Sequence, residues 1–157
     1  MSLQVGQTAP DFTLYDSEKN KVTLSELAGS PVVILFFPLA FTGVCTKELC
    51  SVRDSMTAYN QSNAKVLGIS VDSLFTLAKF KEDQQLNFTL LSDFNRIASS
   101  AFGVLYDAFP AFEMQRVSKR AAFVIDGQGV VRYAEVCATP GDLPDFTAIQ
   151  STLAGLA

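Results

Sequence analysis

The sequence predicts a three-layer α/β domain with a mixed central sheet, and three observations indicate this fold class. Runs of β-branched and aromatic residues alternate along the chain with segments that have helical spacing. The chain has 157 residues, of which 48% are hydrophobic and 18% are charged, which suffices for one ordinary core. Near its end, two apolar runs flank Asp126-Gly127-Gln128-Gly129, a strong signal for an antiparallel hairpin. We therefore expect residues 1–157 to form one domain.

The N-terminal part of the chain predicts a strand extension to the main sheet. Two short alternating runs lie within Asp11 to Thr23, on either side of a turn at Asp16 to Asn20. Pro31 then opens an unbroken apolar run from Val32 to Phe37, which is typical of a strand buried on both faces. Proline is tolerated at the first position of such a strand.

The rest of the chain continues the alternation of helices and strands. The predicted helices span Gly43 to Asn60, Ser73 to Gln85, Asn95 to Phe102 and Asp145 to Ala154. The predicted strands span Ala64 to Val71, Phe88 to Leu91, Ala121 to Ile125 and Val130 to Val136. Because helices connect the earlier strands, we expect parallel strands in the centre of the sheet and the C-terminal hairpin beside them.

Composition and charge exclude several classes of function. The formal net charge is −4 and the 12 basic residues form no block, so neither nucleic acid nor an anionic membrane is an expected partner. No apolar run approaches the ~20 residues of a membrane span. The start of the chain lacks the pattern of a signal peptide, so we expect a cytoplasmic protein. The sequence has no histidine, which excludes Cys-His and Ser-His-Asp catalysis and most catalytic zinc sites. We expect neither a metal nor a cofactor.

The three cysteines raise the question of thiol reactivity, because a reducing compartment does not favour structural disulfides. Cys45 follows a buried strand and a turn at Pro38, and Thr42 is a good N-cap residue. This spacing places Cys45 in the first turn of a helix, where unpaired amides and the helix dipole favour a thiolate. We therefore expect Cys45 to be a nucleophile. Its position alone is equally consistent with a small buried core residue.

Helical spacing also predicts the surroundings of this cysteine. Cys45 begins an apolar stripe that continues with Leu49, Val52, Met56 and Tyr59. Residues at these intervals lie on one face of a helix. We therefore expect the Cys45 thiol to face the sheet and to react only through a pocket at the start of the helix.

The segment around this cysteine, Pro38-x-x-x-Thr42-x-x-Cys45, resembles the active-site motif of the peroxiredoxins. The resemblance extends over essentially the whole chain. Its other parts are Ala9-Pro10-Asp11-Phe12, Gly68-Ile69-Ser70-Val71-Asp72 and the stretch from Arg120 to Asp126.

Two subfamilies share features with this chain. The stretch from Phe36 to Gly43 is similar to the alkyl hydroperoxide reductase E subfamily, and the Cys45–Cys50 spacing to the bacterioferritin comigratory group. The resemblance implies a three-layer thioredoxin-like fold, with a mixed central sheet and an N-terminal strand extension. It also implies a thiol-dependent peroxidase that reduces hydrogen peroxide and organic hydroperoxides without a cofactor.

The resemblance further implies a role for each residue of the motif. Cys45 would attack the terminal oxygen of the peroxide as a thiolate and become a sulfenic acid. Thr42 would bond to the incoming peroxide, and Pro38 would shield the sulfur from water. Arg120 would stabilise the thiolate and the charge that develops on the leaving oxygen. Glu48 would orient the arginine.

Each of these residues also has a simpler structural interpretation. The threonine could only cap the helix, the proline could only shape the turn, and the glutamate could face solvent. Two further basic residues before the hairpin, Arg116 and Lys119, compete with Arg120 for the cationic role. Spacing from the hairpin alone does not choose among them.

Cys50 is predicted to resolve the sulfenic acid by forming a disulfide with Cys45. In an intact helix the two Cα atoms would be roughly 8–9 Å apart, whereas a disulfide spans at most ~7 Å. The helix between Thr42 and Arg53 would therefore have to unwind during the cycle. If Cys50 is inert instead, an external thiol reduces the sulfenic acid. Cys137 is interpreted as structural, and a resolving role for it, within or between subunits, stays open.

The expected partners are a hydroperoxide substrate and a thioredoxin-like, glutaredoxin-like or small-thiol reductant. The resemblance implies a homodimer, and the residues that would suit its interface are Phe41, Phe75, Tyr106, Phe109, Phe112 and Met114. Alternatively, the segment from Tyr106 to Met114 folds over the protein's own core. A thioredoxin-like disulfide oxidoreductase is disfavoured, because the cysteines are spaced as Cys-x-x-x-x-Cys rather than Cys-x-x-Cys. The alternatives from another class are a non-enzymatic redox sensor and a holdase-type binding module.

Overall fold

A mixed sheet of seven strands forms the middle layer of the structure, a computed structural model that describes residues 2–156. The strands in chain order are β1 (Thr13–Asp16), β2 (Lys21–Thr23), β3 (Val32–Phe36), β4 (Lys65–Ser70), β5 (Thr89–Ser92), β6 (Ala121–Ile125) and β7 (Val131–Val136). Across the sheet their order is β2-β1-β5-β4-β3-β6-β7.

The directions of the strands confirm the predicted arrangement. Strands β3, β4 and β5 run parallel in the centre of the sheet. The hairpin of β6 and β7 pairs antiparallel with β3 on one side. Strands β1 and β2 form a second hairpin that extends the sheet antiparallel to β5 on the other side. This second hairpin is the expected N-terminal extension.

Helices cover both faces of the sheet. They are α1 (Gly43–Asp54), α2 (Met56–Gln61), α3 (Leu74–Gln84), α4 (Ile97–Ala101) and α5 (Phe146–Gly155). A short 3-10 helix at Leu24–Leu27, which the sequence did not predict, follows β2. The bounds of α3 and α5 lie within one residue of their predictions, because Ser73 and Asp145 cap their first amides. No helix in the described part of the chain has the length and hydropathy needed to cross a bilayer.

The prediction of one continuous helix from Gly43 to Asn60 is wrong. The helix ends at Asp54 and a new one starts at Met56. Ser55 leaves the helical conformation at φ −107° and ψ 9°, and its amide bonds to the Val52 carbonyl at 3.0 Å in a tighter turn. The apolar stripe continues across this break, since Met56 and Tyr59 are both buried. The periodic pattern therefore concealed the interruption.

Alternate side chains of the central strands fill two separate cores. In β3 and the residue after it, Val33, Leu35 and Phe37 face the layer of α1, α2, α3 and α5. The other side chains of this strand, Val32, Ile34 and Phe36, pack with α4 and the N-terminal residues. Because β3 and β4 are parallel, their carboxyl ends lie at the same edge of the sheet. Helix α1 begins just beyond this edge, and the candidate site lies there.

Candidate active site

The loop between β3 and α1 places Pro38 and Thr42 beside the start of the helix. Pro38 is buried, whereas Thr42 is exposed at the N-cap position predicted for it. The Thr42 carbonyl accepts the first helical hydrogen bond, from the Thr46 amide at 2.9 Å. The expected side-chain cap is absent, because the Thr42 hydroxyl donates to the Leu39 carbonyl at 2.7 Å instead. The hydroxyl oxygen thus keeps its lone pairs for a further donor.

Cys45 is the third residue of α1 and lies at the base of a cavity. Its side chain is buried against the sheet, as the apolar stripe predicts. The cavity has a volume of about 240 Å³ and is lined almost entirely by carbon atoms. Its lining residues include Pro38, Thr42, Cys45, Phe109, Phe112, Met114, Arg120 and Pro140. This cavity gives a reactant a route to the buried thiol.

Arg120 lies across the cavity from the start of α1 and contacts the thiol directly. Its Nη2 atom donates to Cys45 Sγ at 3.3 Å and to the Pro140 carbonyl at 3.0 Å. Its Nη1 atom donates to Glu48 Oε1 at 2.7 Å. The Arg120 side chain is only 1% exposed. A fixed, desolvated guanidinium of this kind stabilises negative charge on the sulfur.

The structure distinguishes Arg120 from the two competing basic residues. Arg116 is exposed, and the Lys119 ammonium lies 5.7 Å from the centroid of the Tyr106 ring. The alternation of β6 offered a signal that could have excluded Lys119 from sequence, although not Arg116, which has the same parity as Arg120. Residue 120 has the same parity as Ala122 and Val124, whose side chains face the α1 layer, while residue 119 has the opposite parity.

Glu48 is fully buried one turn after Cys45, so its interpretation as a solvated helix residue is wrong. One carboxylate oxygen accepts a hydrogen bond from Arg120, and the other, Oε2, is buried and has no hydrogen-bond partner among residues 2–156. Burial raises the pKa of Glu48 to about 7, although the nearby Arg120 charge opposes this rise. For Arg120, burial lowers the pKa of the guanidinium. The charges of Glu48 and Cys45 and the hydrogen bonds to them have the larger effect, so the pKa is raised.

Cys50 lies on the same helix but outside the cavity. It is half-buried, and its thiol donates to Gln84 Oε1 at the end of α3 at 3.4 Å. The next turn of α1 is also tied to this point, since Arg53 Nη1 donates to the Gln84 carbonyl at 2.6 Å. All three cysteines are free thiols in this structure. The structure therefore shows the reduced, fully helical form of the segment.

Cys137 follows β7 and is buried behind the site. Its amide donates to the Arg120 carbonyl at 2.9 Å. Burial raises the pKa of its thiol to about 11, and the carboxylates of Glu135 and Glu48 add to the effect. At neutral pH this thiol is protonated and a poor nucleophile. Within residues 2–156, no group of histidine, cysteine, aspartate and glutamate side chains is arranged to hold a metal ion.

Of the six predicted apolar surface residues, Phe109, Phe112 and Met114 line the cavity, and Phe75 lines a separate groove. Phe41, Phe75 and Phe112 are exposed, whereas Tyr106, Phe109 and Met114 are half-buried. Phe112 is 87% exposed at the mouth of the cavity. Sequence reasoning missed Pro140, which binds the arginine through a backbone carbonyl and therefore leaves no side-chain signal.

Comparison with known proteins identifies relatives along almost the entire chain. The model of the AhpC/TSA family matches residues 5–134. Alkyl hydroperoxide reductase E of Mycobacterium tuberculosis is 38% identical over 157 aligned residues, which cover 98% of this chain and 98% of that protein. The chloroplastic peroxiredoxin Q of rice (Oryza sativa subsp. japonica) is 39% identical over 128 residues, which cover 82% of this chain and 57% of that protein.

A solved structure agrees with the fold described above. The crystal structure of the peroxidoxin BcpB from Mycobacterium tuberculosis superposes with a TM-score of 0.86 at 30% sequence identity. The match covers 99% of this chain and 99% of that chain. The predicted thioredoxin-like architecture is thereby confirmed.

Proposed function

The chain belongs to the AhpC/TSA family and is a thiol-dependent peroxidase, and we propose that Cys45 is the cysteine that attacks the hydroperoxide. The observation that carries this proposal is the buried Arg120 guanidinium, which donates to Cys45 Sγ at 3.3 Å while Glu48 holds its other nitrogen. Among the three cysteines, Cys45 alone lines the cavity. Cys45 therefore combines access, a cationic partner and a helix N-terminus.

In the proposed reaction, the Cys45 thiolate attacks the terminal oxygen of the hydroperoxide. A sulfur–oxygen bond forms, the oxygen–oxygen bond breaks, and Cys45 becomes a sulfenic acid. The other oxygen leaves as an alkoxide or hydroxide and takes up a proton to give an alcohol or water. Arg120 and the amides at the start of α1 are preorganised for this developing charge.

Thr42 and Pro38 are proposed to arrange the peroxide for this attack. The Thr42 hydroxyl already donates to the Leu39 carbonyl, so its oxygen can accept the hydrogen of the hydroperoxide. Pro38 is buried at the cavity wall and excludes water from the sulfur. Water exclusion strengthens the electrostatic contacts of the site.

The substrates we propose are hydrogen peroxide and organic hydroperoxides. The cavity wall beyond the thiol is apolar, with Phe109, Phe112 and Met114 on the side of the 106–116 loop. Such a wall accommodates the hydrocarbon part of an organic hydroperoxide without leaving a polar group unpaired. Hydrogen peroxide needs only the polar end of the cavity.

Cys50 is proposed as the resolving thiol. It would attack the sulfenic sulfur of Cys45 and release water, which leaves a disulfide between them. Both residues lie within α1, so the helix must unwind first, because an intact helix keeps their Cα atoms too far apart. A thioredoxin-like, glutaredoxin-like or small-thiol reductant would then reduce the disulfide. Cys137 is a poorer candidate, because its raised pKa leaves little thiolate.

The functional unit is proposed to be a homodimer in the cytoplasm, where the reducing environment keeps Cys45 and Cys50 as thiols. A groove lined by Tyr15, Phe75, Phe94 and Ile97 has a volume of about 370 Å³. Phe94 connects it to a second groove that contains Leu39 and Met114, and these two residues also line the Cys45 cavity. The first groove is mainly apolar and the second also contains Asp72 and Arg96, so the two together form an exposed apolar face with polar neighbours, which suits a self-complementary interface.

Peroxide consumption with excess dithiothreitol or thioredoxin tests the proposal in wild type, Cys50→Ser and the control Cys137→Ser. We expect sustained turnover by wild type and Cys137→Ser, and loss or slowing of turnover in Cys50→Ser. Non-reducing mass analysis after one equivalent of peroxide should show Cys45 linked to Cys50.

Other outcomes of this experiment point to different functions. Consumption that stops at one equivalent despite excess reductant would favour the redox sensor. Absence of consumption would return Cys45 to a structural role and favour a holdase-type module. A stable sulfenic acid in the wild type would make this a one-cysteine enzyme.

A further inference from the structure

The loop that carries Pro38 and Thr42 has an unfavourable backbone conformation. Phe41 has a φ of +67°, in the left-handed region that residues with a large side chain rarely adopt. Phe41 directly precedes Thr42, so its conformation sets the direction in which the chain enters α1. A neighbouring part of the protein must hold this conformation against its relaxed alternatives.

The Asp72 carboxylate bonds to the backbone next to the strained residue. Its Oδ2 atom accepts a hydrogen bond from the Ala40 amide at 2.8 Å. The same oxygen accepts the hydroxyl of Ser70 at 2.6 Å. Among residues 2–156, no other side chain outside the loop and α1 bonds to the backbone of residues 38–42.

Asp72 is itself fixed by two strands of the sheet. Ser70 is fully buried at the end of β4, and its hydroxyl also accepts the Asp72 amide at 3.2 Å. The Ser92 hydroxyl, at the end of β5, donates to the Asp72 carbonyl at 2.7 Å. These contacts place the carboxylate at the same edge of the sheet as the end of β3. The sheet thus supplies a rigid anchor for the loop.

We propose that Asp72 is a positioning residue for peroxide reduction, which holds the Ala40 amide so that Thr42 and Pro38 keep their places around Cys45. Asp72 does not line the cavity that contains the thiol, so it acts through the loop and not on the substrate. The inference rests on the proposed peroxidatic role of Cys45. Asp72 is the last residue of the Gly68–Asp72 stretch, and the resemblance of that stretch to the family does not by itself assign a role to Asp72.

Two reactions of the same thiol separate positioning from general stability. Peroxide reduction requires Cys45, Thr42 and Pro38 in fixed geometry, whereas alkylation by iodoacetamide requires only an accessible thiolate. For Asp72→Ala we expect the second-order rate constant with hydrogen peroxide to fall roughly 10- to 100-fold, as misplacement of about an ångström does in other active sites. The rate of Cys45 alkylation at the same pH should change far less. The ratio of the two rate constants is the readout.

Two further variants complete the test. Asp72→Asn should restore most of the peroxide rate, because its amide oxygen still accepts the Ala40 amide. Ser70→Ala is a smaller change and serves as the test if Asp72→Ala does not fold. It should also lower the ratio of the peroxide rate constant to the alkylation rate constant, but by a smaller factor.

The inference is overturned if Ser70→Ala and Asp72→Ala leave the ratio at its wild-type value, or lower both rates in parallel. It is also overturned if Asp72→Asn is as impaired as Asp72→Ala. If wild-type Cys45 does not react with peroxide, the proposed function fails, and this inference fails with it.

Discussion

At the scale of single residues, the candidate site consists of a carboxyl group, a guanidinium and a thiol that are connected by successive hydrogen bonds. Glu48 contacts Arg120, and Arg120 contacts Cys45. Two of the buried side-chain atoms without a partner in the described chain belong to this group, namely Glu48 Oε2 and Arg120 Nε. Each buried polar atom without a partner lowers the stability of the folded protein, and a catalytic role is one reason for which proteins retain such atoms.

The buried carboxyl group should make the stability of the protein depend on pH. Glu48 has a pKa of about 7 in the folded protein, against an ordinary value of 4.5. Between these values only the folded state holds the proton, so the free energy of unfolding should fall as pH rises, by roughly 1.4 kcal/mol per pH unit. Below this window, the carboxyl group is protonated in both the folded and the unfolded state, and the contribution of Glu48 to the free energy of unfolding no longer changes with pH.

Urea unfolding of wild type and Glu48→Gln under reducing conditions at several pH values from 4 to about 8 measures this effect. The difference between the two unfolding free energies should change across the window, because glutamine does not titrate. Glu26→Gln, at an exposed position, is the matched control and should parallel the wild type. A difference that is constant with pH would show that the Glu48 pKa is not raised on folding.

The scale of secondary-structure elements concerns mainly α1, which holds both Cys45 and Cys50. The helix ends at Asp54, and the break at Ser55 separates it from α2. It can therefore unwind without disrupting α2, which packs its own residues on the sheet. Its last turn is held to α3 and the residues that follow through Arg53, whose carbonyl also accepts the Asn87 side-chain amide at 3.3 Å.

Replacement of Arg53 by alanine should accelerate disulfide formation between Cys45 and Cys50. Arg53 donates to the Gln84 carbonyl only while α1 is helical, so this variant destabilises the helical form relative to the unwound form. The Arg53 side chain is 29% exposed and solvent screens its charge, so we expect the rate to rise only severalfold, up to about tenfold. Stopped-flow measurement after a pulse of peroxide gives the rate.

Lys47→Ala is the control for this experiment, since Lys47 is an exposed residue of the same helix. It should leave the rate of disulfide formation unchanged. An unchanged or slower rate in Arg53→Ala would mean that unwinding of α1 does not limit resolution. In that case, the helix must open at its N-terminal end alone, or Cys50 is not the resolving thiol.

At the scale of the whole molecule, the fold brings together residues that are far apart in sequence. Arg120 contacts Cys45, and Asp72 contacts the loop that precedes Cys45, because the carboxyl ends of β3 and β4 and the start of β6 lie at one edge of the sheet. Periodicity and turn signals predicted most strands and helices, since these depend on local patterns. They did not predict the break at Ser55 or the contact of Asp72 with Ala40. The first lies within an uninterrupted apolar stripe, and the second depends on the register between two strands.

The apolar face described above gives the last prediction, which concerns assembly. Phe94 is 57% exposed and connects the groove of Tyr15 and Phe75 with the groove of Leu39 and Met114. In a homodimer formed through this face, Phe94→Lys would replace an apolar contact with a positive charge beside Arg96, and the dimer should dissociate. Val5 is 59% exposed but lines none of these grooves, so Val5→Lys is the matched control.

Sedimentation equilibrium across micromolar concentrations distinguishes the mass of one chain from that of two. We expect wild type and Val5→Lys to have the dimer mass, and Phe94→Lys to have the monomer mass at the same concentrations. A monomeric wild type would overturn the proposed dimer. A dimeric Phe94→Lys would place the interface elsewhere, because the loss of the Phe94 ring and the added charge beside Arg96 should weaken a contact made through this face. Dissociation specific to Phe94→Lys would show that the surface next to the Cys45 cavity is the subunit interface, since Leu39 and Met114 belong to both.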